Sequence, residues 1–129
     1  MDDSAVLLDT HTLIWWAAGA RRLSQRTKRL IENTQTKVFV SAATAWEIAT
    51  KVRLQKLKWT SPESVESYCL GQEFELLPVL FVHAERAGSW PQEHGDPFDR
   101  MLAAQSDRER MPIATNDPKI ALFGVETIW

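Results

Sequence analysis

Several carboxylates in this sequence stand where they are costly or conspicuous. Asp9 ends the apolar run Ala5-Val6-Leu7-Leu8 in "AVLLDTHTLIWW". Glu47 sits among Ala45, Trp46, Ile48 and Ala49, Asp96 and Asp99 flank Pro97-Phe98 in "HGDPFDR", and Asp117 follows "PIATN". Each has an ordinary explanation when taken singly. Glu47 precedes Lys51 by four residues, the favourable order for a helical ion pair. Asp96 is placed as the N-cap before Pro97, with Asp99 in the first turn, where helix dipole and unpaired N–H groups favour acids. Asp117 suits the cap of a short helix beginning at Pro118. Taken together, two acids at strand ends and two at helix positions beside the same crevice make an acidic pocket. A buried charge is expensive unless it is paired or binds a metal. Oxygen donors suit Mg²⁺ or Mn²⁺, and such an ion suits phosphodiester hydrolysis, where it activates water, neutralises charge at phosphorus and stabilises the leaving oxygen. It would also bridge an acidic site to a polyanionic substrate. No Cys/His set offers a zinc site: His11, His83 and His94 are scattered without HExxH-like spacing, and each is read as a surface or core histidine.

The elements that must position these acids alternate between strand and helix. Val6–Leu8 reads as a strand buried on both faces. Thr10 or Thr12 is placed to cap a short helix running through Trp16 and Ala18 to Gly19. Ser24 caps "SQRTKRLIEN", a helix with a basic exposed face, and "KVFVS" (37–41) is a second strand. "AATAWEIATKVRL" has helical spacing, with Trp46, Ala49 and Val52, or Ala45, Ile48 and Val52, on its apolar side. Ser61-Pro62-Glu63 marks a helix start, with Val65, Tyr68 and Cys69 facing inward. "FELLPVL" (74–80) reads as a strand that Pro78 ends or places near an edge. "VHAERAGSW" is a short helix and "PQEHGD" a loop; "FDRMLAAQSDRER" is a helix with Met101, Leu102 and Gln105 on one face. "PIAT" and "VETIW" complete the strands. Strands separated by helices imply crossovers and a mainly parallel sheet. In such sheets, sites form beyond the carboxyl ends of the strands, where Asp9 and Asp117 stand.

Composition sets wide bounds. At 129 residues the chain is expected to be one domain, with 44% hydrophobic and 25% charged residues, ordinary for a globular protein. The net charge of -2 points to no partner, but its distribution is uneven. Residues 1–60 carry ten Lys/Arg against five Asp/Glu, and residues 61–129 carry five against twelve. A basic half can meet a polyanion while the acidic half gathers cations. Cys69 is the single cysteine, so no intrachain disulfide forms. Asp2 and Asp3 follow Met1 where a signal peptide would be basic, and no apolar stretch nears the ~20 residues that span a bilayer. A cytoplasmic protein without membrane attachment is expected.

Four motifs, "LLDTHTLIWW", "SAATAWEIATK", "HGDPFDRMLAAQ" and "IATNDPKI…ETIW", resemble in that order those of PIN-domain ribonucleases, specifically the VapC-type toxins of bacterial toxin–antitoxin pairs. The resemblance runs nearly end to end. It implies an α/β fold, a three-layer α/β/α sandwich around a mainly parallel sheet. It also implies an acidic quartet of Asp9, Glu47, Asp99 and Asp117, with Asp9, Asp99 and Asp117 as metal ligands. The implied activity is Mg²⁺- or Mn²⁺-dependent endoribonuclease cleavage, the implied partners an RNA substrate and a VapB-type antitoxin, and the implied assembly a homodimer. Asp99 is preferred to Asp96 as ligand because Asp96 already serves as a cap.

Trp15 and Trp16 are expected in the core or at a subunit interface, although base stacking is open to them. Arg21, Arg22, Arg26, Lys28 and Arg29 suit either a phosphate track or solvent. Arg100, beside Asp99, is expected to form a salt bridge within the site. Rival readings fare less well. A haloacid-dehalogenase-type phosphatase needs a second aspartate where His11 stands. A structure-specific DNA nuclease of the same fold needs clamp elements for which the chain is short. A binding-only PIN-like module would not need all four acids, and a metal-independent ribonuclease would need two histidines placed together.

Overall fold

The computed structural model describes residues 5–129. Five parallel strands form one sheet: β1 (Ala5–Leu8), β2 (Lys37–Ser41), β3 (Glu75–Leu77), β4 (Ile113–Ala114) and β5 (Thr127–Ile128). Their spatial order is β3-β2-β1-β4-β5. The chain builds outward from β1 in one direction, then returns to β1 and builds in the other. The order therefore reverses between β1 and β4, and a crevice opens beyond their carboxyl ends.

Seven helices complete the described fold: α1 (Thr10–Ala18), α2 (Gln25–Glu32), α3 (Ala42–Arg53), α4 (Val65–Gly71), α5 (Phe81–Ser89), α6 (Pro97–Glu109) and α7 (Pro118–Ala121). Alternation along β1 decides which layer each covers. Val6 and Leu8 pack with Leu13, Ile14, Ile31, Ile48 and Cys69, from α1 to α4. Leu7 turns to the other face and packs with Leu102 of α6, Ile113 of β4 and Ile120 of α7. The result is the expected three-layer α/β/α arrangement.

Several boundaries move from their expected places, each for a local reason. The α1 cap is Asp9, not Thr10 or Thr12: its side chain accepts the Thr12 N–H, while Gly19 ends the helix with φ 63° as expected. The start of α4 shifts from Ser61 to Ser64, whose hydroxyl accepts the Ser67 N–H, while Ser61 Oγ instead accepts the Glu63 N–H at 3.0 Å. β3 is an edge strand of three residues, shorter than 74–80, because Pro78 has no N–H to continue the ladder. β4 and β5 are also shorter than "PIAT" and "VETIW".

The inward side of α3 is also corrected. Ala43, Thr44, Glu47 and Ile48 are buried, whereas Trp46 is 58% and Val52 41% exposed. Trp46 packs edge-on against Phe98 of α6 across the surface, with ring centroids 4.7 Å apart. The polar residues Thr44 and Glu47 take the inward side because both meet the Thr10 hydroxyl there, and Glu47 reaches the crevice.

Candidate active site

Asp9 is fixed by its own helix start. Its Oδ1 accepts the Thr12 N–H at 2.8 Å and the Thr12 hydroxyl at 2.5 Å, so the carboxylate caps α1 at the end of the central strand. Only 6% of Asp9 is exposed. Burial pushes its pKa above the ordinary value, opposed by hydrogen bonds from Thr115 and Thr12 and by the nearby His11. Glu47 approaches from α3. Its Oε1 accepts the Thr10 hydroxyl at 2.6 Å, and its Oε2 takes the Lys51 ammonium at 2.5 Å. The ion pair anticipated from helical spacing is therefore present, but inside the crevice. Burial works against the Lys51 charge, yet the Glu47 bond and charge, helped by Asp96 and Asp99, hold its pKa above the usual lysine value.

Asp96 caps α6, its Oδ1 accepting the N–H groups of Phe98 at 2.9 Å and Asp99 at 3.1 Å. Asp99 lies in the first turn, and its Oδ2 meets His94 Nε2 at 2.8 Å. Burial raises the Asp99 pKa; the His94 hydrogen bond opposes this, while the charges of Asp96 and Asp117 add to it. Asp117 caps α7 through the Lys119 N–H at 2.9 Å, and its own N–H donates to Thr115 Oγ1.

All four predicted residues, Asp9, Glu47, Asp99 and Asp117, line one open cavity of about 460 Å³, together with Asp96. Arg22, Lys51 and Lys119 add positive charge at its walls, and His11 and Trp15 add an aromatic edge. Trp15 is half-buried, with the Arg22 guanidinium 4.9 Å from its ring centre and Trp129 packed edge-on at 5.7 Å. Trp16 turns the other way, donating its indole N–H to Gln72 and packing by the core beside Phe74.

Two expectations fail. Among the described residues Arg100 makes no salt bridge; it donates to the backbone carbonyls of Ala87 (2.8 Å), Gln92 (2.6 Å), His94 (2.7 Å) and Trp90. Successive helix residues point about 100° apart, so Arg100 turns away from the cavity that Asp99 faces. His94 is not an incidental histidine, because it bonds a site carboxylate. Nothing in its spacing announces this, since the contact depends on the path of loop 90–95. His83 is the core histidine expected, fully buried between Leu80 N–H and Glu109.

A divalent cation fits this donor set on chemical grounds. The groups are hard oxygen donors, and Asp9 and Asp99 both carry a burial cost that a cation would offset. Among the described residues no three His, Cys, Asp or Glu side chains stand close enough together to hold a metal ion as they are placed. The acids instead stand along the cavity walls, held by Thr12, Lys51 and His94.

Comparison with known proteins places the fold. The chain is 25% identical over 118 residues to Ribonuclease VapC22 of Mycobacterium tuberculosis, covering 91% of this chain and 90% of that protein. Among solved structures, VapBC2 of Rickettsia felis, bound to a DNA fragment from its promoter, superposes with a TM-score of 0.70 at 14% identity, over 97% of this chain and 98% of that one. A toxin–antitoxin complex from Klebsiella pneumoniae gives 0.68 at 20% identity, over 96% of both chains. Mycobacterium tuberculosis VapC20, a sarcin–ricin loop cleaving toxin, gives 0.67 at 17% identity, over 93% of this chain and 95% of that one. The family described as PIN domain matches residues 6–125. With that span covering both flanks of the sheet and every acid of the cavity, the chain belongs to the PIN-domain family.

Proposed function

We propose that this protein is a divalent-metal-dependent endoribonuclease that acts as the toxin of a toxin–antitoxin pair. The observation that carries the proposal is the meeting of Asp9, Glu47, Asp99 and Asp117 in one cavity at the point where the strand order reverses. The relative named Ribonuclease VapC22 and the likeness to toxins solved with their antitoxins support the same reading.

Asp9, Asp99 and Asp117 would hold Mg²⁺ or Mn²⁺, which supplies an activated water and neutralises charge at phosphorus. The chain's own groups do the rest. Lys51 cancels the charge of Glu47, so Glu47 adds oxygen donors to the wall with little added repulsion. Thr10 and Thr12 hold Glu47 and Asp9 in fixed orientations. Arg22 and Lys119, at the cavity wall, offer cationic contacts to an RNA backbone that five nearby carboxylates would otherwise repel. A VapB-type antitoxin as inhibitor and a homodimer as the working assembly complete the proposal.

Induction of the chain alone in a bacterium should arrest growth, and Asp9→Asn at equal abundance should relieve the arrest. Co-expression of a cognate VapB-type antitoxin should protect. Equal toxicity of the Asn variant would remove the nuclease reading.

A further inference from the structure

Loop 90–95 is tied down from several sides and ends beside the Asp99 carboxylate. Arg100 gathers four backbone carbonyls, those of Ala87, Trp90, Gln92 and His94, onto a single guanidinium. A planar fork of fixed donors is suited to this; a lysine ammonium is not. Phe123, 6% exposed, seats the same loop from the other side. Trp90 packs edge-on to it at 5.2 Å, His94 at 5.9 Å, and the Arg100 guanidinium carbon lies 5.8 Å from its ring centre. Gln92 ties the loop to Leu122 O at 2.8 Å. Phe123 follows α7, the helix that Asp117 caps. One packed unit therefore joins the two parts of the chain that bring Asp99 and Asp117 to the cavity.

The product of this construction is the His94–Asp99 contact. His94 is held at its carbonyl by Arg100 and at its ring by Phe123, and its Nε2 meets Asp99 Oδ2 at 2.8 Å. An ionised carboxylate only accepts, so Nε2–H donates. Asp99 Oδ1 has no hydrogen bond to the protein among the described residues. We propose that His94, locked by the Arg100 carbonyl clamp, is a positioning residue: it fixes one oxygen of Asp99 so that the other serves the divalent cation. Ligating carboxylates are commonly oriented by such outer hydrogen bonds, and losing one typically costs 10–100-fold in metal affinity. The inference rests on the metal-dependent reading above.

The test is Mn²⁺ titration by electron paramagnetic resonance on the full chain, beside RNA cleavage and metal-free melts. His94→Ala should weaken Mn²⁺ binding about 10–100-fold and lower kcat, with the metal-free melting temperature little changed. His94→Gln, which can still donate an N–H, should recover most of both. Arg100→Lys should reproduce the affinity loss. Spin-echo spectra of the Mn²⁺-loaded parent should show no directly coordinated imidazole nitrogen. Parent-like Mn²⁺ affinity in His94→Ala overturns the proposal, as does a coordinated nitrogen that this variant loses. A lowered metal-free melt with an undiminished metal-induced rise would reduce His94 to a structural part. If the parent itself binds no Mn²⁺, the metal-dependent reading fails and takes this inference with it, a result distinct from the others.

Discussion

Replacing Asp9 separates its two roles, because capping and charge can be removed one at a time. Asparagine keeps an Oδ1 acceptor for the Thr12 N–H and hydroxyl, both now bonded to Asp9 Oδ1, and caps helices about as well as aspartate. Asp9→Asn therefore deletes the buried charge and leaves α1 started. Since burial raises the Asp9 pKa, the charged form destabilises the metal-free protein, and the variant should be as stable as the parent at pH 7 or more so. Asp9→Ala loses the cap as well, about 1 kcal/mol, and the stranded Thr12 N–H raises the loss to about 1–3 kcal/mol. For a chain of this size 1 kcal/mol is about 3–5 °C, so the two variants should melt several degrees apart. A hundredfold excess of Mn²⁺ over its dissociation constant should stabilise the parent by about 2.7 kcal/mol and Asp9→Asn by much less. Thermal melts in chelator and in Mn²⁺ read all of these values. Should Asp9→Asn cost several kcal/mol without metal, the carboxylate is paired to a buried cation and does not belong to a metal site.

The pH dependence of the metal-free protein follows from the same groups. Asp9 and Asp99 both have carboxyl pKa values raised from 3.8 by burial, so the folded state binds more protons than the unfolded state just above that value. Stability should fall as pH rises from about 3.8 through the raised values, and Asp99→Asn should flatten that slope in urea melts taken across the range. Asp96→Asn should retain both fold and RNA cleavage, because its seen role is to cap Phe98 and Asp99 N–H, whereas Asp99→Asn should lose cleavage by orders of magnitude; equal inactivity would give Asp96 a place in the chemistry. Cys69 is fully buried, with its thiol pushed up to about 11 by burial; maleimide at pH 8 should label the folded protein far more slowly than the urea-unfolded chain.

What the sequence disclosed and what it hid divide along physical lines. Asp9 was legible because a strand buried on both faces has a periodicity of its own, and a carboxylate at its end stands out. Asp117 was legible for the same reason at β4. The inward face of α3 was not, because apolar residues were expected inside. Here the inner side carries Glu47, which lines the cavity, and Thr44, which meets the Thr10 hydroxyl at 3.3 Å, while Trp46 finds its partner, Phe98, at the surface. Arg100 looked like a partner for Asp99 because the two are adjacent in sequence, but adjacency on a helix separates directions. The His94 contact and the Arg100 clamp depend on how loop 90–95 folds back over α6, which no periodicity encodes.

If these carboxylates cut RNA through a divalent metal, cleavage must depend on that ion. Purified protein is incubated with a mixed RNA pool, with and without excess chelator, and product ends are mapped. Cleavage should vanish on chelation, return with Mg²⁺ or Mn²⁺, and leave 5′-phosphate and 3′-hydroxyl ends, because water attacks phosphorus and the 3′-oxygen leaves. Undiminished cleavage in excess chelator would contradict the metal dependence, and products ending in 2′,3′-cyclic phosphate would mean that the 2′-hydroxyl attacks instead of water.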